Sequence, residues 1–127
     1  MNRLFFDTNA VLYFLADKKI KNISLNVELT ISFITEIELL CYPHISIEEE
    51  KKIKEFLQSI NIVNVNNFIK EKTIFFKRKY NIKIPDAIIV SSSLMLDIPL
   101  VSNDKQLFKI KEVKIITYEE FKEIYTK

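Results

Sequence analysis

The spacing of apolar residues changes repeatedly along the chain, and each change marks an element. Leu4-Phe5-Phe6 is a short unbroken apolar run, as expected of a strand buried on both faces. Val11, Leu12, Phe14 and Leu15 then recur at helical spacing, with Thr8 or Asn9 available as the cap. Leu29-Thr30-Ile31-Ser32-Phe33 alternates and is β-branched, which predicts a second strand. Thr35 to Tyr42 reads as a helix stopped by Pro43. Ser46-Ile47-Glu48-Glu49 spells a capping box for a helix running to about Ser59. Ile47, Ile53, Phe56, Leu57 and Ile60 form its apolar stripe, with lysines and glutamates outside.

The alternation continues to the end. Ile60 to Val65 predicts a third strand, and Asn67 to Tyr80 a helix with Phe68, Ile69, Ile74 and Phe75 inward. Pro85 and Asp86 open a helix to about Leu96 that is apolar almost all round, apart from Ser91, Ser92 and Ser93, and therefore central. Pro99 to Ser102 reads as a fourth strand, Lys105 to Ile110 as a short helix, and Val113 to Ile116 as a fifth strand. Thr117 and Glu120 form a second capping box, starting a terminal helix. Strands separated by helices imply right-handed crossovers and a parallel sheet covered on both faces, an α/β fold in a single domain spanning residues 1–127.

Composition narrows the chemistry. Of 127 residues, 48% are apolar and 28% charged, which excludes disorder. No apolar run approaches the ~20 residues of a spanning helix. No long apolar segment precedes Asp7, so the expectation is a cytoplasmic protein with no membrane partner. A single cysteine excludes an internal disulfide, and Cys41 reads as a small core residue. His44 is the only histidine, so a Cys/His zinc cluster is excluded too. Glycine is absent, which rules out phosphate-cradling glycine loops. The net charge of +2 is too small for a strong sequence-independent polyanion trap. A metal site built from carboxylates stays open.

Four acids fall at corresponding places. Asp7 follows the first strand, Asp104 follows the fourth after Ser102-Asn103, Asp86 opens the central helix, and Glu38 lies in the first turns after the second strand. In a parallel α/β sheet such positions share the edge at the strands' C-terminal ends, where ligands bind. Asp7, Asp86 and Asp104, each taken alone, are better read as helix N-caps, worth about 0.5–2 kcal/mol apiece. For Glu38 the corresponding bland reading is a capping box with Thr35. Caps do not require carboxylates, however, and Thr8, Asn9, Ser102 and Asn103 stand beside the acids. Glu36 and Glu38 point about 200° apart on a helix, so only one faces the site. Glu38 shares a face with Ile34, Ile37 and Cys41 and is taken as the inward one. Asp97 lies three turns from Asp86, some 16 Å away, and ends its helix. Asp17 reads as a solvated helix end.

Carboxylates gathered in one crevice call for cations. Two like charges about 4 Å apart cost about 4 kcal/mol at an effective dielectric of 20. Oxygen ligands without His or Cys suit Mg²⁺ or Mn²⁺, which keep several waters and bind phosphate. The chemistry that follows is metal-assisted attack of water on a phosphodiester.

At these residues the chain resembles the PIN-domain ribonucleases, in the branch of VapC-type toxins of bacterial and archaeal toxin–antitoxin pairs. The matching segments are Phe6-Asp7-Thr8-Asn9, Ile31 to Leu40, Ile84 to Ile89, and Pro99 to Lys105. The resemblance implies a three-layer α/β/α fold with a five-stranded parallel sheet in the order 3-2-1-4-5. It makes Asp7, Glu38, Asp86 and Asp104 the metal-binding, catalytic acids. Thr8, Asn9 and Asn103 become groups that support them or position substrate. It also implies Mg²⁺- or Mn²⁺-dependent cleavage of RNA, a homodimer, and a cognate antitoxin that places a basic side chain among the carboxylates. Ser91-Ser92-Ser93 and Asp97 depart from the family pattern, where small residues and a glycine are usual. Lys77, Lys79, Lys83 and Lys105 flank two of the motifs and are candidate contacts to an RNA backbone, weighed against a plain solvated face. A haloacid-dehalogenase-type phosphatase wants a second Asp where Asn9 stands. A receiver domain wants an Asp ending the third strand, where the chain has Asn64, Asn66 and Asn67. The non-enzymatic alternative is a PIN fold kept as a binding module.

Overall fold

The computed structural model describes residues 2–20 and 26–125. Its strands are β1 (Asn2–Phe6), β2 (Val27–Ser32), β3 (Asn61–Val63), β4 (Leu100–Val101) and β5 (Ile115–Ile116). Its helices are α1 (Thr8–Ala16), α2 (Phe33–Leu40), α3 (Ile47–Gln58), α4 (Asn67–Tyr80), α5 (Ile84–Leu96) and α6 (Tyr118–Tyr125), with a 3₁₀ helix over Lys105–Lys109. The five strands form one sheet in the order 3-2-1-4-5, and every pairing is parallel. The parallel, two-sided layering is that expected from the sequence pattern, and the strand order is the one the family resemblance implies.

Alternation along β1 builds both halves of the core. Leu4 and Phe6 face a cluster with Ala10 and Val11 of α1, Leu39 of α2, Ile53 of α3 and Phe121 of α6. Phe5, between them, faces the opposite cluster with Phe76 of α4, Ala87, Ile89 and Val90 of α5, and Leu107. Phe5, Phe6, Phe76 and Phe121 are fully buried, each worth about 1.5–3 kcal/mol relative to exposure. Among the described residues no helix is long and apolar enough to cross a membrane.

Caps and helix ends explain the boundaries. Both capping boxes form: Ser46 with Glu49, and Thr117 with Glu120. In a chain without glycine, left-handed backbone among the described residues falls to His44, Asn81 and Asp97, residue types that tolerate it better than most. Asn81 (φ 53°) ends α4 and Asp97 (φ 54°) ends α5. At the second, Ile98 N–H reaches Ser93 O at 3.2 Å, closing the last turn.

Several side-chain expectations fail. Cys41 is exposed rather than core, because α2 ends at Leu40 and its buried face carries Thr35 and Leu39. Ile47 is 88% exposed: it sits in the first turn of α3, outside the stripe that buries Ile53. Phe68, Ile74 and Phe75 also lie outward. The buried line of α4 is Ile69, Thr73 and Phe76, at spacings of four and three, so its face is turned from the one read off the aromatics. The serines of α5 are buried without leaving polar atoms orphaned. Ser91 and Ser92 donate to Ala87 O and Ile88 O, and Ser93 donates to Ile98 O.

Candidate active site

Parallel pairing of β1 with β4 brings their C-terminal ends together, Phe6 opposite Val101. The next residues on each side are the start of the site. Asp7 is buried and caps α1, its Oδ1 accepting Ala10 N–H at 2.8 Å. Thr8 and Asn9 are therefore not the caps. Asp104 caps the 3₁₀ helix, accepting Gln106 N–H at 3.0 Å. The capping role weighed against chemistry is real for these two acids, and it consumes one oxygen of each. Asp86 is not a cap. It stands in the first turn of α5, where Lys83 holds the cap position without a side-chain bond.

Glu38 reaches the same edge from α2. Its Oε1 accepts the Thr8 hydroxyl at 2.7 Å, and Thr8 Oγ1 lies 3.0 Å from the buried Thr35 hydroxyl. The face that brings Glu38 here runs through Thr35 and Leu39, not through Ile37 and Cys41, which are exposed. Thr35 forms no capping box with Glu38, since Ser32 caps α2 by accepting Ile34 N–H at 3.1 Å.

Electrostatics ties the four acids into one group. Burial pushes the Asp7 carboxyl above its ordinary value, opposed by hydrogen bonds from Ser102 and the Ala10 amide, and the charges of Asp104 and Glu38 raise it further. Burial also raises Asp86, helped by the charges of Asp104, Asp7 and Glu38 and opposed by Lys83. Asp86 thus senses all three of the other acids, and Asp7 senses Asp104 and Glu38. Among the described residues, no three Cys, His, Asp or Glu side chains are already gathered as ligands around one point. That spacing is what mutual repulsion favours. It also suits a hard ion that takes only one or two carboxylates and keeps much of its water. The donor set fits Mg²⁺ or Mn²⁺ on both counts: oxygen only, and protonation raised where no cation compensates.

The surrounding groups divide. Asn103 Oδ1 accepts Tyr118 N–H at 2.9 Å and so pins the β4 loop to α6. Lys83 and Lys105 are exposed next to Asp86 and Asp104. Lys79 is engaged elsewhere, 2.7 Å from Glu112 and over the Phe75 and Tyr80 rings. Lys77 Nζ lies 3.4 Å from Asn81 Oδ1. Asp17 is not a solvated helix end: it accepts the Tyr118 hydroxyl at 3.1 Å and pairs with Lys122 at 3.2 Å. Two hydroxyls join the site that the pattern of acids does not reveal. Ser102 is fully buried, bonds Asp7 and accepts Asp104 N–H at 3.0 Å, and Thr35 backs Thr8. Only their placement between acidic positions and strand ends hints at them.

Comparison with known proteins gives the family. Residues 4–113 match the PIN domain family. No curated protein matches the chain. The fold is similar to that of VapBC2 from Rickettsia felis bound to a DNA fragment from its promoter: TM-score 0.76 at 17% identity, over 91% of this chain and 98% of that one. A toxin–antitoxin complex from Klebsiella pneumoniae is similar at TM-score 0.70 and 23% identity, over 91% and 97% of the two chains. VapBC-1 from nontypeable Haemophilus influenzae gives TM-score 0.74 and 18% identity, over 92% and 98%. The structural likeness carries the fold, the match over residues 4–113 carries the family, and the chain belongs to the PIN domain family.

Proposed function

We propose that this chain is a Mg²⁺- or Mn²⁺-dependent endoribonuclease, the toxin of a toxin–antitoxin pair acting in the cytoplasm. The observation that carries the reading is the convergence of Asp7, Glu38, Asp86 and Asp104, from four separate elements, on one sheet edge, where Asp86 senses the charges of the other three and Asp7 those of Asp104 and Glu38. Family membership supports it, as do similar folds among VapBC and other toxin–antitoxin complexes.

Asp7, Asp86 and Asp104 would hold the ion, with Glu38 completing the set. Bound there, such an ion would supply activation of water and neutralisation of charge on a phosphodiester. The chain's own residues prepare that event. Ser102 and the Ala10 amide fix the Asp7 carboxylate, and Thr8 fixes Glu38, so the acids do not swing away from one another. Asn9 and Asn103, exposed beside Asp7 and Asp104, are assigned to positioning the RNA chain. Lys83 and Lys105 line the rim toward its backbone. The same open acidic crevice fits a basic side chain of a cognate antitoxin, and a homodimer is the proposed assembly. A PIN fold kept only for binding has no need of four acids, and all four stand.

The test is cleavage of a mixed RNA pool with and without Mg²⁺. Wild type cleaves only with the ion, and Asp104→Asn falls roughly 10³-fold or more, as expected when several kcal/mol of transition-state stabilisation is lost. Asparagine can still cap the 3₁₀ helix, so folding is kept. A wild-type rate in Asp104→Asn sinks the proposal. For the partner, expression of the chain alone arrests a bacterial host, and co-expression of the neighbouring gene's product relieves it.

A further inference from the structure

A cavity of about 570 Å³ opens between α1 and α6, lined by Tyr13, Asp17, Lys18, Lys19, Asn103 and Tyr118 among others. It lies outside the group of four acids but begins beside it. Asn103, on its wall, is the residue between Ser102, which bonds Asp7, and Asp104. Along α1, Asn9 and Tyr13 are four residues apart, so one helix face leads from Asp7 into the cavity.

We propose that this cavity is a nucleotide subsite, holding one unstacked base of a single-stranded RNA beside the scissile phosphate. The inference rests on the ribonuclease reading and adds where the substrate lies. Three observations carry it. Tyr13 offers an aromatic ring, 43% exposed, at the mouth. That ring is braced edge-on by Tyr118, with centroids 5.7 Å apart and planes at 65°, so it is already held in position. Lys18 and Lys19 are exposed on the lining, where they outnumber the one exposed acid, Glu119, and give a backbone path out of the site. The floor is a closed polar network: Asp17 holds the Tyr118 hydroxyl and Lys122, and Tyr118 is itself only 5% exposed. An aromatic platform, a cationic rim and a polar floor are the parts from which proteins hold single-stranded RNA. The volume lies within the ~300–1,000 Å³ of small-ligand sites. The exposed aromatic on α4 competes poorly, because Lys72 and Lys79 lie over the Phe75 ring at 5.3 and 5.5 Å.

The chain has five tyrosines and no tryptophan, so tyrosine fluorescence reports stacking directly. The experiment titrates the Asp7→Asn protein, which binds without cutting, with a random-sequence RNA octamer. Binding quenches tyrosine emission. Adding Tyr13→Ala raises the dissociation constant roughly 10-fold or more, the loss expected for one stacked base. Tyr13→Phe keeps the affinity but loses much of the quench. Phe75→Ala changes neither. In the cutting protein, Tyr13→Ala alters nucleotide preference beside the cleavage point. If Tyr13→Ala binds RNA as its parent does while the wild type cleaves, the subsite is overturned and the ribonuclease reading stands. Equal weakening by Tyr13→Ala and Phe75→Ala also overturns it. Tyr13-dependent binding by a wild type that never cleaves upholds the subsite and removes the nuclease.

Discussion

Glu112 and Asp7 are both carboxylates, and the fold treats them in opposite ways. Glu112 accepts the Tyr80 hydroxyl at 2.5 Å and pairs with Lys79 at 2.7 Å, and these bonds pull its carboxyl down to about 2. Asp17 is likewise lowered, tied to Lys122 and Tyr118. Asp7 and Asp86 sit among other carboxylates and are pushed up, first by burial. The contrast separates two uses of one residue type. An acid with its cation supplied by the chain is finished as a structural element. A group of acids raised together stores a cost that an added cation removes, and such groups mark functional sites more often than structural ones.

The largest expected effect compares activity across that divide. Glu38→Gln keeps the size of the side chain but removes the charge that Asp7 and Asp86 sense. Cleavage of the RNA pool falls at least about 10²-fold, the scale for losing one transition-state charge contact. Glu36→Gln, about 200° round the helix, leaves the rate near wild type, and so does Glu112→Gln. A damaging Glu36→Gln with an intact Glu38→Gln means that α2 presents the wrong glutamate to the chemistry, despite the 2.7 Å bond from Thr8.

The second comparison needs no substrate. A cation that binds only the folded state stabilises it by mass action. With a dissociation constant near 1 mM, as for a water-rich Mg²⁺ site, about 10 mM Mg²⁺ contributes roughly 1.4 kcal/mol, or about 4–7 °C in melting temperature. Asp7→Asn raises the metal-free melting point slightly and shrinks the Mg²⁺ shift sharply. Asp97→Asn does neither, since Asp97 caps the far end of α5 and asparagine also tolerates its φ of 54°. Ionic strength is matched with a monovalent salt, because screening alone relaxes repulsion. Equal shifts in all three proteins reduce the four acids to caps and surface charges.

What could be read from the sequence follows from which signals are local. Element order, both capping boxes, the stop at Asp97 and the parallel sheet are legible, because period, caps and crossover rules are properties of neighbouring residues, whereas the order of the strands comes only from the family resemblance. Asp7, Glu38, Asp86 and Asp104 were legible as a group through their places after strands and at the start of a helix. The facing of short helices was not. In α4 the apolar residues nearly encircle the axis, so Phe68, Ile74 and Phe75 fit an inward stripe as well as Ile69 and Phe76 do; only packing against α5 chooses. Cys41 was misplaced for the same reason: α2 is eight residues long, too short for a stripe to be unambiguous. Ser102 is legible only as a strand end and a possible cap, and its bond to Asp7 emerges only when β4 pairs with β1.

The smallest expected effect is in the pH dependence of stability, and here the two kinds of acid carry opposite signs. For Glu112 the folded state holds the proton less tightly than the unfolded chain does. Its contribution is present above the ordinary 4.5 and is lost as pH falls toward about 2. For Asp7 and Asp86 the folded state holds the proton more tightly. Their contribution is full below the ordinary value of 3.8 and is lost as pH rises through the raised one. Melting curves in chelator, at fixed ionic strength and from pH 3 to 7, separate them. Glu112→Gln lowers stability at pH 7 by about 0.5–1 kcal/mol, the range for a partly exposed pair, and its deficit closes toward acid. Asp7→Asn does the reverse: little change at pH 3, and a gain over wild type that grows as the pH rises. Adding Mg²⁺ at pH 7 cancels the advantage of Asp7→Asn and leaves the Glu112→Gln deficit where it was. If the two variants share one pH slope, the edge acids are as fully compensated as Glu112, and nothing in that crevice is waiting for a cation.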